Sequence, residues 1–216
     1  MFSRIFLPQP ERTYMKHVIP FDNSNDALIT LDNGGRFYNL ISEANDGHVS
    51  SQEVARVAGL FTDKQKVVLY FALSISKLKP PFCEIVKSAL TDVLQQAYQK
   101  YLPQVLLPSQ AVTQGVVSSN AIVTGIPTKV DSRQEFKGFI FVSPGILIPI
   151  IDRYDIYEMR DEELAEPLLI AHARGSKKLP QQMVKVAGIL KEIKVKTDGA
   201  ETRKMFLEAL YYADAN

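Results

Sequence analysis

The sequence predicts an α+β fold, with a helical N-terminal half and an antiparallel β half-barrel or barrel closed by a C-terminal helix. Three observations predict it. Capping signals and apolar residues three and four apart mark helices between residues 50 and 103. Past residue 120, short β-branched or aromatic runs alternate with turn residues, as strands do. Residues 200–213 then return to helical spacing. The organisation that follows is a mainly helical region at 1–103, a linker at 104–120, and a β region with its closing helix at 121–216.

The first 35 residues carry Pro8, Pro10 and Pro20, a turn-rich run from Asp22 to Asp26 and an Asn33-Gly34-Gly35 turn signal around one short apolar segment. Ser50 stands three residues before Glu53, so each can satisfy the other's backbone N–H in a capping box, and the helix at 51–58 ends at Gly59. Thr62 and Gln65 repeat that spacing. They open a segment in which Val67, Val68, Phe71, Ile75 and Leu78 leave almost no polar face, which predicts a central helix. Pro80-Pro81 stops that helix and starts another, because proline suits a first turn. Its stripe is Phe82, Val86, Leu90, Val93, Ala97 and Tyr101.

Strands are expected at 121–126, 136–142, 146–151, 155–159, 168–173 and 183–196. Between the second and third, Pro144-Gly145 suits a type II turn and predicts a hairpin. In the last, the apolar positions change from Val184, Val186 and Leu190 to Ile193 and Val195, which predicts a bulge near Lys191 and a bend at Gly188. Phe206, Leu207, Leu210 and Tyr211 share one face of the expected closing helix.

Composition narrows the function classes. With 46% hydrophobic and 23% charged residues in 216, the chain has the make-up of a folded globular protein. Twenty-five basic against 24 acidic residues leave a formal charge of +1, so no overall field steers it to nucleic acid or an anionic membrane. Cys83 is the single cysteine, which excludes an internal disulfide and a thiolate metal cluster. The apolar stretch at 138–151 is too short for a bilayer and is broken by Ser143-Pro144-Gly145. The N-terminus lacks the pattern of a signal peptide, so a cytoplasmic location is expected.

Neither a phosphate loop, a dinucleotide fingerprint nor a helical zinc motif occurs. Asp46-Gly47 and Glu53 match the second half of a calcium loop, but Ser42 and Ala44 stand where the first half needs oxygen ligands. No metal and no cofactor is therefore expected. Ser74-Ile75-Ser76-Lys77 fits S-x-x-K without its companion motifs.

Two patterns remain. Residues 51–71 approximate a helix-turn-helix whose second helix would offer Lys64, Gln65 and Lys66 to DNA, although Gln65 falls where the motif buries an aliphatic residue. In the β region, 152–166 holds seven acidic and two basic residues, while 174–196 holds seven basic and one acidic. That dipole suits an anionic ligand or a second copy of the chain. The favoured expectation is a non-catalytic interaction or regulatory protein whose β half binds a protein partner or small anionic ligand through His172, Arg174, Lys177 and Lys178. One alternative is a DNA-binding regulator using Lys64, Gln65 and Lys66, with nucleic acid the less favoured partner. Another is an enzyme with a site around His172 and Arg174. No membrane partner is expected.

Overall fold

A computed structural model of the chain describes residues 14–35, 45–59, 63–130, 138–143, 146–149, 154–162, 166–197 and 200–215. Among them are six helices and ten strands. Strand β1 (Lys16–His17) precedes α1 (Ser24–Leu31), α2 (Ser51–Ala58), α3 (Lys64–Ser74), α4 (Pro80–Ser88) and α5 (Asp92–Lys100). Next come β2 (Gln104–Leu106), α6 (Pro108–Gln114), β3 (Asn120–Gly125) and β4 (Thr128–Lys129). The chain continues as β5 (Gly138–Ser143), β6 (Ile146–Pro149), β7 (Tyr154–Met159), β8 (Leu168–Ala173), β9 (Val184–Thr197) and β10 (Ala200–Asp214). None of the helices among the described residues is long and apolar enough to cross a membrane.

Local chemistry explains the helix ends. The Glu53 N–H donates to the Ser50 hydroxyl at 3.3 Å and the Ser50 N–H to the Glu53 carboxylate at 2.8 Å, the expected capping box, and Gly59 ends α2 at a φ of 67°. For α3 the cap is Asp63, whose carboxylate accepts from the N–H groups of Gln65 and Lys66; Thr62, the expected cap, lies outside the described residues. The stripe expected to run from Phe82 to Tyr101 is divided between α4 and α5. Val49 causes the break, because its N–H donates to the Ala89 carbonyl at 2.7 Å and its carbonyl accepts from Thr91 at 2.9 Å. Those groups are no longer available to a continuous helix.

The strand order is β2-β3-β9-β10-β8-β7-β4. Off this path, β1 pairs with β10 through Lys16↔Tyr211, and the β5–β6 hairpin pairs with the far half of β9 through Gly138↔Val195. Pro144-Gly145, where a type II turn is expected, lies outside the described residues. Three features depart from expectation. The sheet is mixed, since β1 and β8 run parallel to β10 and β2 parallel to β3. Among the described residues it is also not closed, as the barrel alternative, though not the half-barrel, would require: β2 and β4 end the path without pairing to each other. A Cβ built on Gly125 of β3 would nevertheless lie 3.3 Å from the Met159 sulfur of β7, so the curl brings those strands face to face.

The third departure is the largest. Residues 200–213, expected as the closing helix, form the central strand β10, paired with β9 along its whole length. Its consecutive apolar residues serve two faces: Leu207, Ala209 and Tyr212 enter one core, while Phe206, Tyr211 and Ala213 enter clusters on the opposite face. A run buried on both sides has no period that separates strand from helix. The bulge falls here too, between Ala209 and Tyr211, and not near Lys191. Apolar residues change sides along β9 because the covered face changes: Val184, Val186 and Leu190 face one cluster, and Ile193 faces another with Ile156, Leu169 and Phe206.

Residues 104–120, expected as a linker, carry β2 and α6. The N-terminus of α6 is capped from a distance, the Ser109 N–H donating to the Asp161 carboxylate at 2.8 Å, and Ala111 is fully buried. Helix α3 lies between two layers. Leu69, Ala72 and Leu73 pack on Ile122, Ala187 and Leu210 of the sheet, while Val67, Phe71 and Ile75 pack on Val54, Val86 and Leu94 of the outer helices. Each large side chain so buried contributes about 1.5–3 kcal/mol.

Candidate functional site

Where the outer helices meet the sheet edge they leave a cavity of 430 Å³. Buried Asn120 sets the spacing: its side-chain amide donates to the Gln65 carbonyl at 3.2 Å and the Tyr101 carbonyl at 2.8 Å, pinning β3 to the start of α3 and the end of α5. Ala72, Ile75 and Leu78 form the helical wall, Ile122 and Thr124 the sheet wall, and Leu102 and Val105 the lip. These last two are 55% and 74% exposed, so the mouth is apolar and open.

Polar groups are few and concentrated. Lys185 stands directly across the ladder from Thr124, and its ammonium donates to the Ser76 carbonyl at 3.1 Å, satisfying a carbonyl just past the end of α3. Ser76 also lines the wall, and its hydroxyl is buried, without a hydrogen-bond partner among the described residues. Among the described residues Lys185 forms no ion pair. Lys87 differs: its ammonium lies 2.9 Å from Glu84 and 5.8 Å from the centre of the Tyr98 ring, and the bond to Glu84 pushes its pKa up. Burial raises the Tyr98 phenol, with Lys87 opposing.

Cys83 also lines the cavity, with its sulfur 3.3 Å from the Leu78 carbonyl and 3.6 Å from that of Ile75. Burial raises its pKa, only partly opposed by Lys87, so at neutral pH it is a thiol that donates and not a nucleophilic thiolate.

The residues singled out from sequence fall elsewhere. Arg174, Lys177 and Lys178 are exposed in the segment after β8, where Ser176 accepts from the Met15 N–H at 2.9 Å. His172 is fully buried on β8 and stacked on Tyr157 with ring centres 5.3 Å apart. It does not share the surface of the three cations. Lys64 is exposed, but the Gln65 side-chain amide donates to the Ser118 carbonyl at 3.0 Å and Lys66 pairs with Asp63 at 3.4 Å. Elsewhere Lys191 pairs with Glu208, and Lys204 with Glu166 at 3.5 Å. Sequence reasoning included Lys185 only as one of a basic run, and it missed Ser76 and Thr124. Lys185 lies between Val184 and Val186, so alternation turns it to the other face, but nothing local says that a helix end waits there.

No protein-family model matches the chain, and no curated protein matches it.

Buried His172 gives a pH prediction. Its Nδ1 is 3.2 Å from the Ala173 carbonyl, which can only accept, so Nδ1 carries the proton; Nε2 has no hydrogen-bond partner among the described residues. Desolvation lowers its pKa, with the Ala173 bond and Asp155 opposing and Lys129 assisting. The unfolded imidazole takes up a proton as pH falls through about 6.5, while the folded one does so only at lower pH. Stability from this group is therefore full above that value and declines as pH falls toward the folded pKa. The urea midpoint should drop between about pH 7.5 and about pH 5.5, and His172→Leu should lessen that drop. An equal drop in the variant would show that another group sets the acid limb.

Proposed function

We propose that the chain is a non-catalytic binding protein whose β half supplies one wall of a site for a small anionic ligand. The observation that carries this is the cavity between α3 and the sheet edge, apolar over most of its surface and provided with one cation, Lys185, that lacks an ionic partner among the described residues. Its volume lies in the ordinary range for ligand sites. A cytoplasmic location belongs to the reading, since the single thiol suits a reducing compartment.

The other readings have less support. A recognition helix needs an exposed flank to enter a groove, and α3 has Val67, Val68, Leu69 and Phe71 to Ser74 buried. An enzyme built on His172 needs an accessible ring, whereas this ring is sealed.

The test uses the apolar anion 1-anilinonaphthalene-8-sulfonate. The folded protein should bind it saturably, one per chain, and bound dye should slow alkylation of Cys83 by iodoacetamide. Ala72→Met, which intrudes on the cavity, should weaken binding about tenfold, equivalent to about 1.4 kcal/mol. Unsaturable binding, or alkylation indifferent to the dye, would defeat the reading without recourse to the variant.

A further inference from the structure

Resting on that reading, we propose that the ligand is a single-headed amphipathic monoanion, an unbranched acyl carboxylate. Its carboxylate sits at the corner formed by Lys185, Ser76 and Thr124. Its chain lies along Ile75 and Ile122 and leaves past Val105.

Charge decides the head group. Of the two ammonium groups on the cavity wall, Lys87 is already balanced by Glu84 at 2.9 Å. One positive charge remains, at Lys185, which matches one negative charge and not the two of a phosphate monoester. Hydrogen bonding decides its position. The Ser76 hydroxyl is a buried donor without a partner among the described residues, and it belongs to the residue whose carbonyl holds Lys185. Thr124, the ladder partner of Lys185, offers a second hydroxyl beside it. A carboxylate has acceptor sites enough for an ammonium and two hydroxyls at once, and bonds to a charged acceptor are the stronger kind.

Shape and wall chemistry decide the tail. The side chains of Ala72, Ile75, Leu78 and Ile122 offer dispersion contacts and no hydrogen bonds, so a polar group placed against them would lose its water without compensation. The cavity of 430 Å³ holds roughly a dozen non-hydrogen groups at about 30 Å³ each, the liquid share of one water. That is the size of a medium-length chain with its carboxylate. The exposed lip at Leu102 and Val105 lets a longer chain emerge.

The experiment is displacement of the bound dye by decanoate, decan-1-ol and decylamine, equal in chain and different in head. Decanoate should compete about tenfold or more better than decan-1-ol, the scale of a charged hydrogen bond, and decylamine worst. Lys185→Met should remove the preference for decanoate over decan-1-ol, and Lys185→Arg should keep it. Because Lys185→Met also removes a cap from the end of α3, Ser76→Ala provides a second reading: a few-fold loss for decanoate alone. If decan-1-ol competes as well as decanoate in the wild type, or Lys185→Met leaves decanoate unaffected, the head-group assignment is overturned. Saturable dye binding would then still stand, so the two failures are distinguishable.

Discussion

Phe71→Ala should lower stability by about 3–5 kcal/mol, the cost of emptying an aromatic site in a core that cannot collapse around it. Phe71 is fully buried at the centre of the helical cluster and meets Tyr98 edge-on, with ring centres 5.6 Å apart and planes at 88°. That geometry adds about 0.5–1.5 kcal/mol beyond the area buried. The neighbours come from four helices, of which α1 and α2 are capped by Asn23 and Ser50 and the junction of α4 and α5 is held by the bridge at Val49, so little can move in to fill the gap. Urea unfolding should show a lower midpoint at unchanged slope. Exposed Val105→Ala should stay within about 0.5 kcal/mol. A loss below about 1 kcal/mol for Phe71→Ala would mean that α3 does not hold the two layers together.

Gly188→Ala should cost about 3 kcal/mol, at the upper end for overpacking, although it adds a single methyl group. A Cβ there would lie 2.2 Å from the Glu208 carbonyl oxygen, 2.9 Å from the carbon of that carbonyl and 3.1 Å from the Ala209 Cα. All three are backbone atoms of β10 beside its bulge, so no side chain can rotate aside. The two strands must therefore shift apart at this point of the pairing that runs from Val184↔Asp214 to Thr197↔Ala200. Thermal unfolding followed by circular dichroism measures this. An unchanged melting temperature would show that the two strands are further apart at this point.

The contrast between these two residues shows what the sequence makes legible. Phe71 belongs to a helix whose place between layers is written locally, because Val67, Val68, Phe71 and Ile75 leave it no polar side. The capping box at Ser50 and Glu53 and the proline start of α4 are equally local, and they are found where the sequence puts them. The two apolar runs that flank Pro144-Gly145 in the sequence likewise pair as the antiparallel strands β5 and β6. The nature of β10 is not written locally. Glu, Ala, Leu, Met and Lys favour a helix there by intrinsic preference, and the strand forms because β8 and β9 are present to pair with it and apolar layers cover both its faces. The candidate site is non-local in the same sense. Ser76, Thr124 and Lys185 come from a helix end, an inner strand and the long hairpin, and no spacing in the sequence connects them.

The position of β10 within the sheet has a consequence for biosynthesis. It follows β1, β8 and β9 in sequence, yet β9 and β8 flank it and β1 pairs with it at Lys16 and His17. A ribosome releases the partners before it releases the strand that joins them. Until Met205 to Ala213 emerge, β8 lacks its parallel neighbour, β9 lacks its hairpin partner and β1 has nothing to pair with. Until then the nascent chain carries open strand edges and bare apolar faces, a state prone to association that chaperones shield. A premature stop within β10 would deprive the sheet of its centre, so such fragments should accumulate as aggregates or be degraded and not persist as shortened folded proteins.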